Sequence, residues 1–287
     1  MPLNLRSHSS SSSSSSPPKI IIADWDETLT TKDTIQYLAQ VPYINNSKLQ
    51  PPFSHYTQIY MSNYEAYKSQ FGPCVTLDDH VRFQQGMLPI EMSSVTALEH
   101  DGIFRGLTKD QIRNQAAGHV ELRPGAVDFL QRCLVLDKQV VILSVNWTSL
   151  IIEEVLKRNG IDNDRGVNGS KIKIITNEFE FKNEEESSLV DEQVSGSKLT
   201  PTSTTTGFWL PSPAIRTSSD KLTYIHQHHS PNGDEVMYIG DSLTDLLPSL
   251  NVSLPCAIKD TKLDQVLTQL EVDHFSGSWF DLIKLIE

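Results

Sequence analysis

The segment KIIIADWDETLTTKD, residues 19–33, leads from an apolar run directly into two aspartates that are one residue apart. The run IIIA is short and rich in β-branched residues, which is typical of a buried parallel strand. Alternation along an extended chain would place Asp24 and Asp26 on one side and Trp25 on the other. Two carboxylates so close together repel each other unless a metal ion or another cation offsets their charge. An exposed acidic turn or a helix cap is the alternative that these residues alone leave open.

Length and composition are those of a soluble globular protein. The chain has 287 residues, of which 38% are hydrophobic and 21% charged, and its formal net charge is −12. An acidic chain is a poor ligand for nucleic acid or an anionic membrane, and no apolar run approaches the roughly 20 residues of a membrane span. The cysteines Cys74, Cys133 and Cys256 are far apart, so neither a disulfide framework nor a zinc site is expected. A reducing compartment, the cytoplasm or the nucleus, is therefore favoured.

The chain divides into segments of different character. Residues 1–18 are serine-rich and predict a disordered tail, because polyserine has nothing to bury. Residues 33–120 read as helical, whereas strands and helices alternate in residues 121–287. This alternation predicts an α/β fold with a doubly wound parallel sheet, formed by residues 19–32 and 121–287, and an inserted helical cap. Residues 182–206 are acidic and then rich in Ser and Thr, which predicts a flexible insertion within the core.

One helical face in the predicted cap is aromatic. Its members recur at steps of three or four residues, as one side of a helix requires: Tyr56, Tyr60, Tyr64, Tyr67 and Phe71. Two interpretations follow, an interior face of the cap or a platform for a flat substrate ring. The interior face is the favoured one.

Polar residues follow three of the predicted strands. The first strand leads to Asp24 and Asp26, the strand QVVILS ends in Ser144, and EVMYIGDSLTD carries Asp241 and Asp245. Ligands of open α/β sheets bind beyond the carboxyl ends of the strands, so these side chains are expected to converge. A lysine at position 221 begins a helix between the last two of these strands.

The segments DWDET, VILSVN, SDKL and YIGDSLTD, in this order, resemble the four signature motifs of the phosphatases of the haloacid dehalogenase superfamily. The resemblance covers most of residues 19–260. The helical segment is similar to the cap of phosphoserine phosphatase and of pyrimidine 5′-nucleotidase relatives. The segments RPGAVDFL and YIGDSLTDLL look closest to fungal phosphatase-like proteins and the plant thiamine monophosphate phosphatase domain. The resemblance implies a capped hydrolase that needs Mg²⁺ and acts on a small phosphomonoester metabolite.

This resemblance assigns chemistry to the carboxylates. Asp24 would attack phosphorus and form an aspartyl-phosphate, and Asp26 would act as general acid and then general base. Mg²⁺ would be held by Asp24, Asp241 and the backbone carbonyl of Asp26. Asp245 completes the predicted metal site, where it would orient a metal-bound water or the lysine.

The same resemblance predicts how the phosphoryl group is bound. Lys221 would neutralise the charge on its oxygens, and Ser144 with the backbone beside it would donate hydrogen bonds to them. The predicted substrate-binding residues are Thr28, Ser144, Val145, Asn146 and Lys221. Lys198 or Lys182 is the alternative if the lysine motif is misplaced.

Two other hypotheses for the function and one other possible group of metal ligands remain. The chain could be a catalytically idle member that serves as a binding or regulatory scaffold, but every residue that the chemistry needs is present. A phosphoprotein phosphatase is disfavoured because a cap that closes over the site excludes a folded partner. His226, His228 and His229 resemble a cluster of metal ligands, although their position after a helix favours a solvated surface.

Overall fold

The computed structural model describes residues 17–161, 172–183, 203–229 and 235–287, so that most of the predicted serine-rich tail lies outside the described part. No helix within these residues is long and apolar enough to cross a membrane. Their strands are β1 (Ile20–Ala23), β2 (Gln139–Leu143), β3 (Ile172–Ile175), β4 (Phe179–Asn183), β5 (Ser203–Trp209), β6 (Val236–Gly240), β7 (Leu254–Ile258) and β8 (Phe275–Gly277). Their α-helices are α1 (Ile35–Leu38), α2 (Val41–Asn45), α3 (Phe53–Phe71), α4 (Leu77–Gln85), α5 (Leu88–Asp101), α6 (Lys109–Ala117), α7 (Ala126–Val135), α8 (Ser149–Arg158), α9 (Ser218–His228), α10 (Leu246–Ser249), α11 (Lys262–Gln269) and α12 (Trp279–Ile286).

Six strands form a parallel sheet in the order β3-β2-β1-β6-β7-β8. β1 lies in the middle of the sheet, hydrogen-bonded to β2 on one side and to β6 on the other. The order reverses between β1 and β6, because the chain first adds β2 and β3 on one side and then crosses to the other. Such a switch point opens a crevice beyond the carboxyl ends of the two strands. The predicted α/β fold class with a parallel, doubly wound sheet is confirmed.

The apolar residues of β1 alternate between the two faces of the sheet. Ile21 and Ala23 belong to the largest hydrophobic cluster, whereas Ile22 belongs to a second cluster. All three are fully enclosed. Since both faces are covered by other elements, the strand must be apolar throughout, which explains the unbroken IIIA run.

Helices α1 to α6 occupy the chain between β1 and β2, where the sequence predicted a helical insertion. α3 packs along α5. Its aromatic face lies against a small apolar cluster that includes Phe83 and Met87. Tyr56 is fully enclosed, and its hydroxyl donates to Asp101 Oδ2 over 2.7 Å. The aromatic stripe therefore packs the interior of the helical segment, as the favoured interpretation predicted.

Tyr64→Ala tests this packing. The Tyr64 ring stacks on Tyr60 at 6.1 Å and meets Phe83 edge-on at 6.1 Å, but it is only half-buried. We expect the free energy of unfolding to fall by about 2 kcal/mol, roughly half of the loss for a fully buried aromatic ring. Met61→Ala, on the exposed side of the same helix, is the control and should change stability little. Urea unfolding of both variants measures the difference, and equal stability of the two would contradict the interior packing.

β4 and β5 form an antiparallel hairpin that the sequence analysis did not predict. Residues 182–183 and 203–206 were assigned to the flexible insertion but belong to these strands. The insertion is thus shorter at both ends than predicted, and residues 184–202 lie outside the described part. The missed signal is the segment STTTGFW, in which β-branched and aromatic residues favour a strand. The short edge strand β8 was also missed.

The hairpin links the helical segment to the sheet. The backbone N–H of Gly106 donates to Thr205 O, and that of Thr205 donates to Leu107 O, both over 2.9 Å. On the other side, the indole N–H of Trp209 donates to Trp147 O over 3.0 Å, next to the end of β2. The hairpin therefore fixes the helical insertion relative to the carboxyl end of the sheet.

The histidines at the end of α9 do not share one environment. His226 and His228 are exposed, as predicted for a solvated surface, but His229 is only 7% exposed. The prediction was wrong for His229 because the chain turns inward after α9 and brings its ring to 6.2 Å from that of Tyr224.

Candidate active site

Lys221 joins two carboxylates from opposite sides of the switch point. It lies in the first turn of α9, which Thr217 caps by accepting a hydrogen bond from the N–H of Asp220. Its side chain is fully buried, and Nζ lies 2.9 Å from Asp24 Oδ1 and 2.7 Å from Asp245 Oδ1. Burial alone would lower the pKa of Lys221, but the two carboxylates raise it above its ordinary value. The lysine is therefore a fixed cation at this point.

Asp245 is held by protein donors on both oxygens. Oδ1 accepts from the Tyr238 hydroxyl over 2.6 Å as well as from Lys221. Oδ2 accepts from two backbone N–H groups at the end of β6, over 3.1 and 3.2 Å. A Cβ atom at Gly240 would lie 2.5 Å from Asp245 Cβ, so only glycine lets the carboxylate pack against the strand end. These contacts favour the predicted role in orienting the lysine over direct metal binding.

Three buried carboxylates meet at this point. Asp24, Asp241 and Asp245 each offer an oxygen within 4.8 Å of the others. Burial raises the pKa of Asp24 well above its usual range, repulsion from Asp245 adds to this, and Lys221 opposes it. Burial, followed by repulsion from Asp245, raises the pKa of Asp241 to about 7, while a hydrogen bond from Thr28 opposes the shift. One lysine does not neutralise three carboxylates, so the cluster favours a further cation.

The oxygen atoms of the cluster fit a metal ion. Asp24 Oδ1 is enclosed, and Lys221 is its ion-pair partner among the described residues. This single cation faces three buried carboxylates, whose remaining charge a metal ion would offset. Mg²⁺ prefers hard oxygen ligands and binds through one or two carboxylates. Asp24 and Asp241 are therefore suited to hold it.

The Asp26 carboxylate lies outside this group and is bound separately. Oδ1 accepts from the N–H of Thr34 over 2.6 Å and from its hydroxyl over 2.5 Å. Oδ2 accepts from Asn146 Nδ2 over 2.9 Å. Burial raises the pKa of Asp26, whereas these hydrogen bonds lower it. The strand ends at Ala23, so both aspartates lie beyond it and are not bound to the alternation of a strand. Glu27, which follows them in a turn, has a positive φ of 55°.

Ser144 and Val145 directly follow β2 and begin the loop that borders the carboxylates. Ser144 is fully buried, and its Oγ accepts from the N–H of Asn146 over 3.0 Å. Asn177 fixes this loop, since its Nδ2 donates to the carbonyls of Val145 and Asn146 over 3.0 and 2.8 Å. The loop is thus held in place by bonds to the end of the neighbouring strand.

Thr28 and Asn146, which are predicted to contact substrate, bind carboxylates with their side chains. Both are fully buried. The Thr28 hydroxyl donates to Asp241 Oδ1 over 2.6 Å, and the Asn146 amide holds Asp26. Their side chains therefore orient the carboxylates. Of the alternative lysines, Lys182 is exposed on β4 and Lys198 lies outside the described residues.

The comparisons with known proteins concern the fold of the chain. No protein-family model matches the chain. Cold tolerance protein 1 of Saccharomyces cerevisiae is 27% identical over 259 residues, which span 82% of this chain and 76% of that protein. The structure is similar to a phospho-aspartyl intermediate analogue of phosphoserine phosphatase, with a TM-score of 0.53 over 94% of this chain and 100% of that chain at 14% identity. A HAD family hydrolase from Salmonella enterica serovar Typhi has a TM-score of 0.56 at 14% identity, over 94% of this chain and 71% of its own.

The protein has the haloacid dehalogenase-like fold. The resemblance that the sequence motifs predicted is thereby confirmed at the level of architecture, including the helical insertion between β1 and β2.

Several residues that support this site were missed from sequence. Thr34 and Tyr238 hold Asp26 and Asp245, respectively, and Asn177 fixes the loop after β2. The available signal for Tyr238 was a lone hydroxyl in an otherwise apolar strand. Thr34 and Asn177 had no local signal, because their partners are distant in sequence.

Lys221→Met should strongly destabilise the haloacid dehalogenase-like core. It leaves Asp24 and Asp245 buried without their cation, and breaking a buried ion pair in this way costs about 3–5 kcal/mol. Urea unfolding in EDTA measures the loss without interference from bound metal. Lys109→Met, which removes an exposed lysine on α6, is the matched control. Equal stability of the two variants would contradict the ion pairs at Asp24 and Asp245.

Proposed function

We propose that this protein is a Mg²⁺-dependent phosphatase that hydrolyses a small phosphomonoester metabolite through an aspartyl-phosphate intermediate. The observation that carries the proposal is the buried contact of Lys221 with Asp24. Asp241 lies beside this pair, and Asp26 is two positions after Asp24 in the sequence. A carboxylate, a lysine, a cation site and a second, separately held acid are the groups that phosphoryl transfer to a carboxylate requires.

Asp24 is the nucleophile in this proposal. A carboxylate oxygen of Asp24 attacks phosphorus, the bond from phosphorus to the ester oxygen breaks, and the phosphoryl group is carried on Asp24. Lys221 favours the ionised form of Asp24 and offsets the negative charge of the phosphoryl oxygens. Bound Mg²⁺, held by Asp24 and Asp241, would supply further positive charge that screens the repulsion between carboxylate and phosphate.

Asp26 moves the protons. In its protonated form the carboxyl group donates its proton to the leaving ester oxygen. The resulting carboxylate then takes a proton from water, and the hydroxide attacks phosphorus and releases Asp24 and inorganic phosphate. The bonds from Thr34 and Asn146 keep the carboxyl group in one orientation through both steps.

Ser144 and Val145 bind the phosphoryl oxygens in this scheme. Because Ser144 Oγ accepts its hydrogen bond from the backbone of Asn146, the hydroxyl proton can be donated to a phosphoryl oxygen. The bonds from Asn177 hold the loop in position, so binding the substrate requires little reordering of the backbone.

Hydrolysis of 4-nitrophenyl phosphate with Mg²⁺ and with excess EDTA tests the proposal. We expect turnover that depends on Mg²⁺ and that is lost in EDTA and in Asp241→Ala. Asp110→Ala, which removes an exposed carboxylate in the first turn of α6, controls for general effects of charge removal. Full activity in EDTA would remove the metal from the mechanism, and a folded protein without turnover on any phosphomonoester would favour a scaffold function.

A further inference from the structure

Arg216 is an enclosed cation without an acceptor. Its side chain precedes α9 and is 9% exposed, and Nη1 is buried without a partner. Within the part of the chain that the structure describes, the guanidinium forms neither a hydrogen bond nor an ion pair. Its contact is with the Trp209 ring, whose centroid lies 5.5 Å from Cζ. A buried charge without a partner is costly, so its persistence points to a ligand.

The two carboxylates whose charge acts on Arg216 accept hydrogen bonds from backbone groups. Glu99, on α5 of the helical insertion, accepts the backbone N–H of Trp209 on Oε1 over 3.1 Å. Asp220 Oδ2 accepts the backbone N–H groups of Arg216 and Thr217 over 3.0 and 2.9 Å. Burial lowers the pKa of Arg216, and the charges of Glu99 and Asp220 oppose this shift. These acids favour a charged guanidinium but do not bind it.

Arg216 lies next to the loop that follows β2. Asn177 connects this loop to the segment before α9, because its Nδ2 donates to Val145 O over 3.0 Å and to Ile215 O over 2.8 Å. Trp209, on which Arg216 stacks, donates its indole N–H to the carbonyl of Trp147 in the same loop. The guanidinium is therefore placed where the loop, the β4–β5 hairpin and the helical insertion meet. The same loop carries Ser144, which binds the phosphoryl group in the proposed function, so the guanidinium lies beside a loop of the phosphate site.

We propose that Arg216 binds a second anionic group of the substrate, so that the preferred substrate is a phosphomonoester that also carries a carboxylate or a second phosphate. This inference rests on the proposed phosphatase function. The planar guanidinium matches both groups, because two parallel N–H donors can bind two oxygens. Since Nη1 is enclosed, neighbouring side chains must move apart when the anion binds. Lys221 offsets the charge of the phosphoryl group that is transferred, and Arg216 determines which ester is preferred.

Matched pairs of esters test the proposal. Ethyl phosphate is compared with phosphoglycolate, phenyl phosphate with carboxyphenyl phosphate, and glucose monophosphate with glucose bisphosphate, in Mg²⁺. We expect the wild type to favour a charged member by about tenfold or more in kcat/KM, as for one hydrogen bond between charged groups. Arg216→Met should remove this preference mainly through KM and leave the neutral members unchanged within about threefold. Arg216→Lys should keep part of the preference for the charged ester. Arg158→Met, on the exposed side of α8, should keep the whole preference.

Other outcomes overturn the inference. Equal losses on charged and neutral esters in Arg216→Met would show a structural role, and a wild type without preference would exclude a second anion. If Arg216→Met does not fold, the comparison of Arg216→Lys with wild type decides. If the wild type hydrolyses no ester, the proposed function fails, and calorimetric titration with succinate then tests Arg216 alone. Binding to the wild type that Arg216→Met loses supports the site, whereas equal binding or no binding contradicts it.

Discussion

Asp24→Asn is expected to abolish phosphatase turnover while the protein stays folded. The amide has the shape of the carboxylate but is a poor nucleophile, so the loss should be several orders of magnitude in kcat, more than about 4 kcal/mol of transition-state stabilisation. Stability should be preserved or rise in EDTA, because the substitution removes one of three carboxylates that repel each other. The measurement is turnover of 4-nitrophenyl phosphate in Mg²⁺, with the melting temperature of the same sample.

Two results would contradict this role of Asp24. Activity within about tenfold of wild type would exclude Asp24 as the nucleophile. A collapsed melting temperature would show that the carboxylate is structural, and the kinetic loss would then say nothing about chemistry. Asp110→Asn, which changes an exposed carboxylate in the first turn of α6, is the control and should retain most of the activity.

Asp26→Asn is expected to slow turnover by about 10²–10⁴-fold, the usual contribution of a general acid or base. The amide oxygen can still accept from Thr34, whereas the bond from Asn146 Nδ2 is lost because the amide nitrogen is itself a donor. The variant therefore removes the acidic proton together with one hydrogen bond. The size of the loss should depend on the ester. An ester with a good leaving group, such as 4-nitrophenol, needs no proton in the first step, whereas an alkyl ester does.

Rapid-mixing kinetics separates these two steps. Asp26→Asn should release a burst of 4-nitrophenol and then stall, because water is no longer activated for the second step. The same variant should show no burst with an alkyl phosphate. An equal loss on both esters without a burst would contradict an acid and base role for Asp26 and would favour a purely structural one.

The residues at the strand ends were predictable from sequence because each motif includes the apolar strand that precedes the polar residue. IIIADWD, VILS and YIGD each couple an apolar strand to a polar residue, and the topology rule for parallel sheets then brings Asp24, Ser144 and Asp241 together. Gly240 could be recognised for the same reason, since its neighbour Asp245 needs the space of the missing side chain.

Other features depend on contacts between distant residues and had no local signal. Thr28 was predicted to bind substrate because it follows the first motif, but its partner Asp241 is 213 residues away and lies across the switch point. The hairpin was read as part of a flexible insertion because its strands flank an acidic, polar stretch. Arg216 appeared as an ordinary residue before a helix, and only its burial against Trp209 distinguishes it from a solvated arginine.

Trapping of the phosphorylated enzyme tests the central claim most directly. Turnover of a phosphomonoester in Mg²⁺ is quenched in acid, and the peptide that carries the phosphoryl group is identified by mass spectrometry. The account predicts one phosphoryl group on Asp24, more of it in Asp26→Asn, and none in Asp24→Asn. Sustained turnover with the phosphoryl group on another residue, or with no phosphorylated enzyme in wild type or Asp26→Asn, would contradict the account.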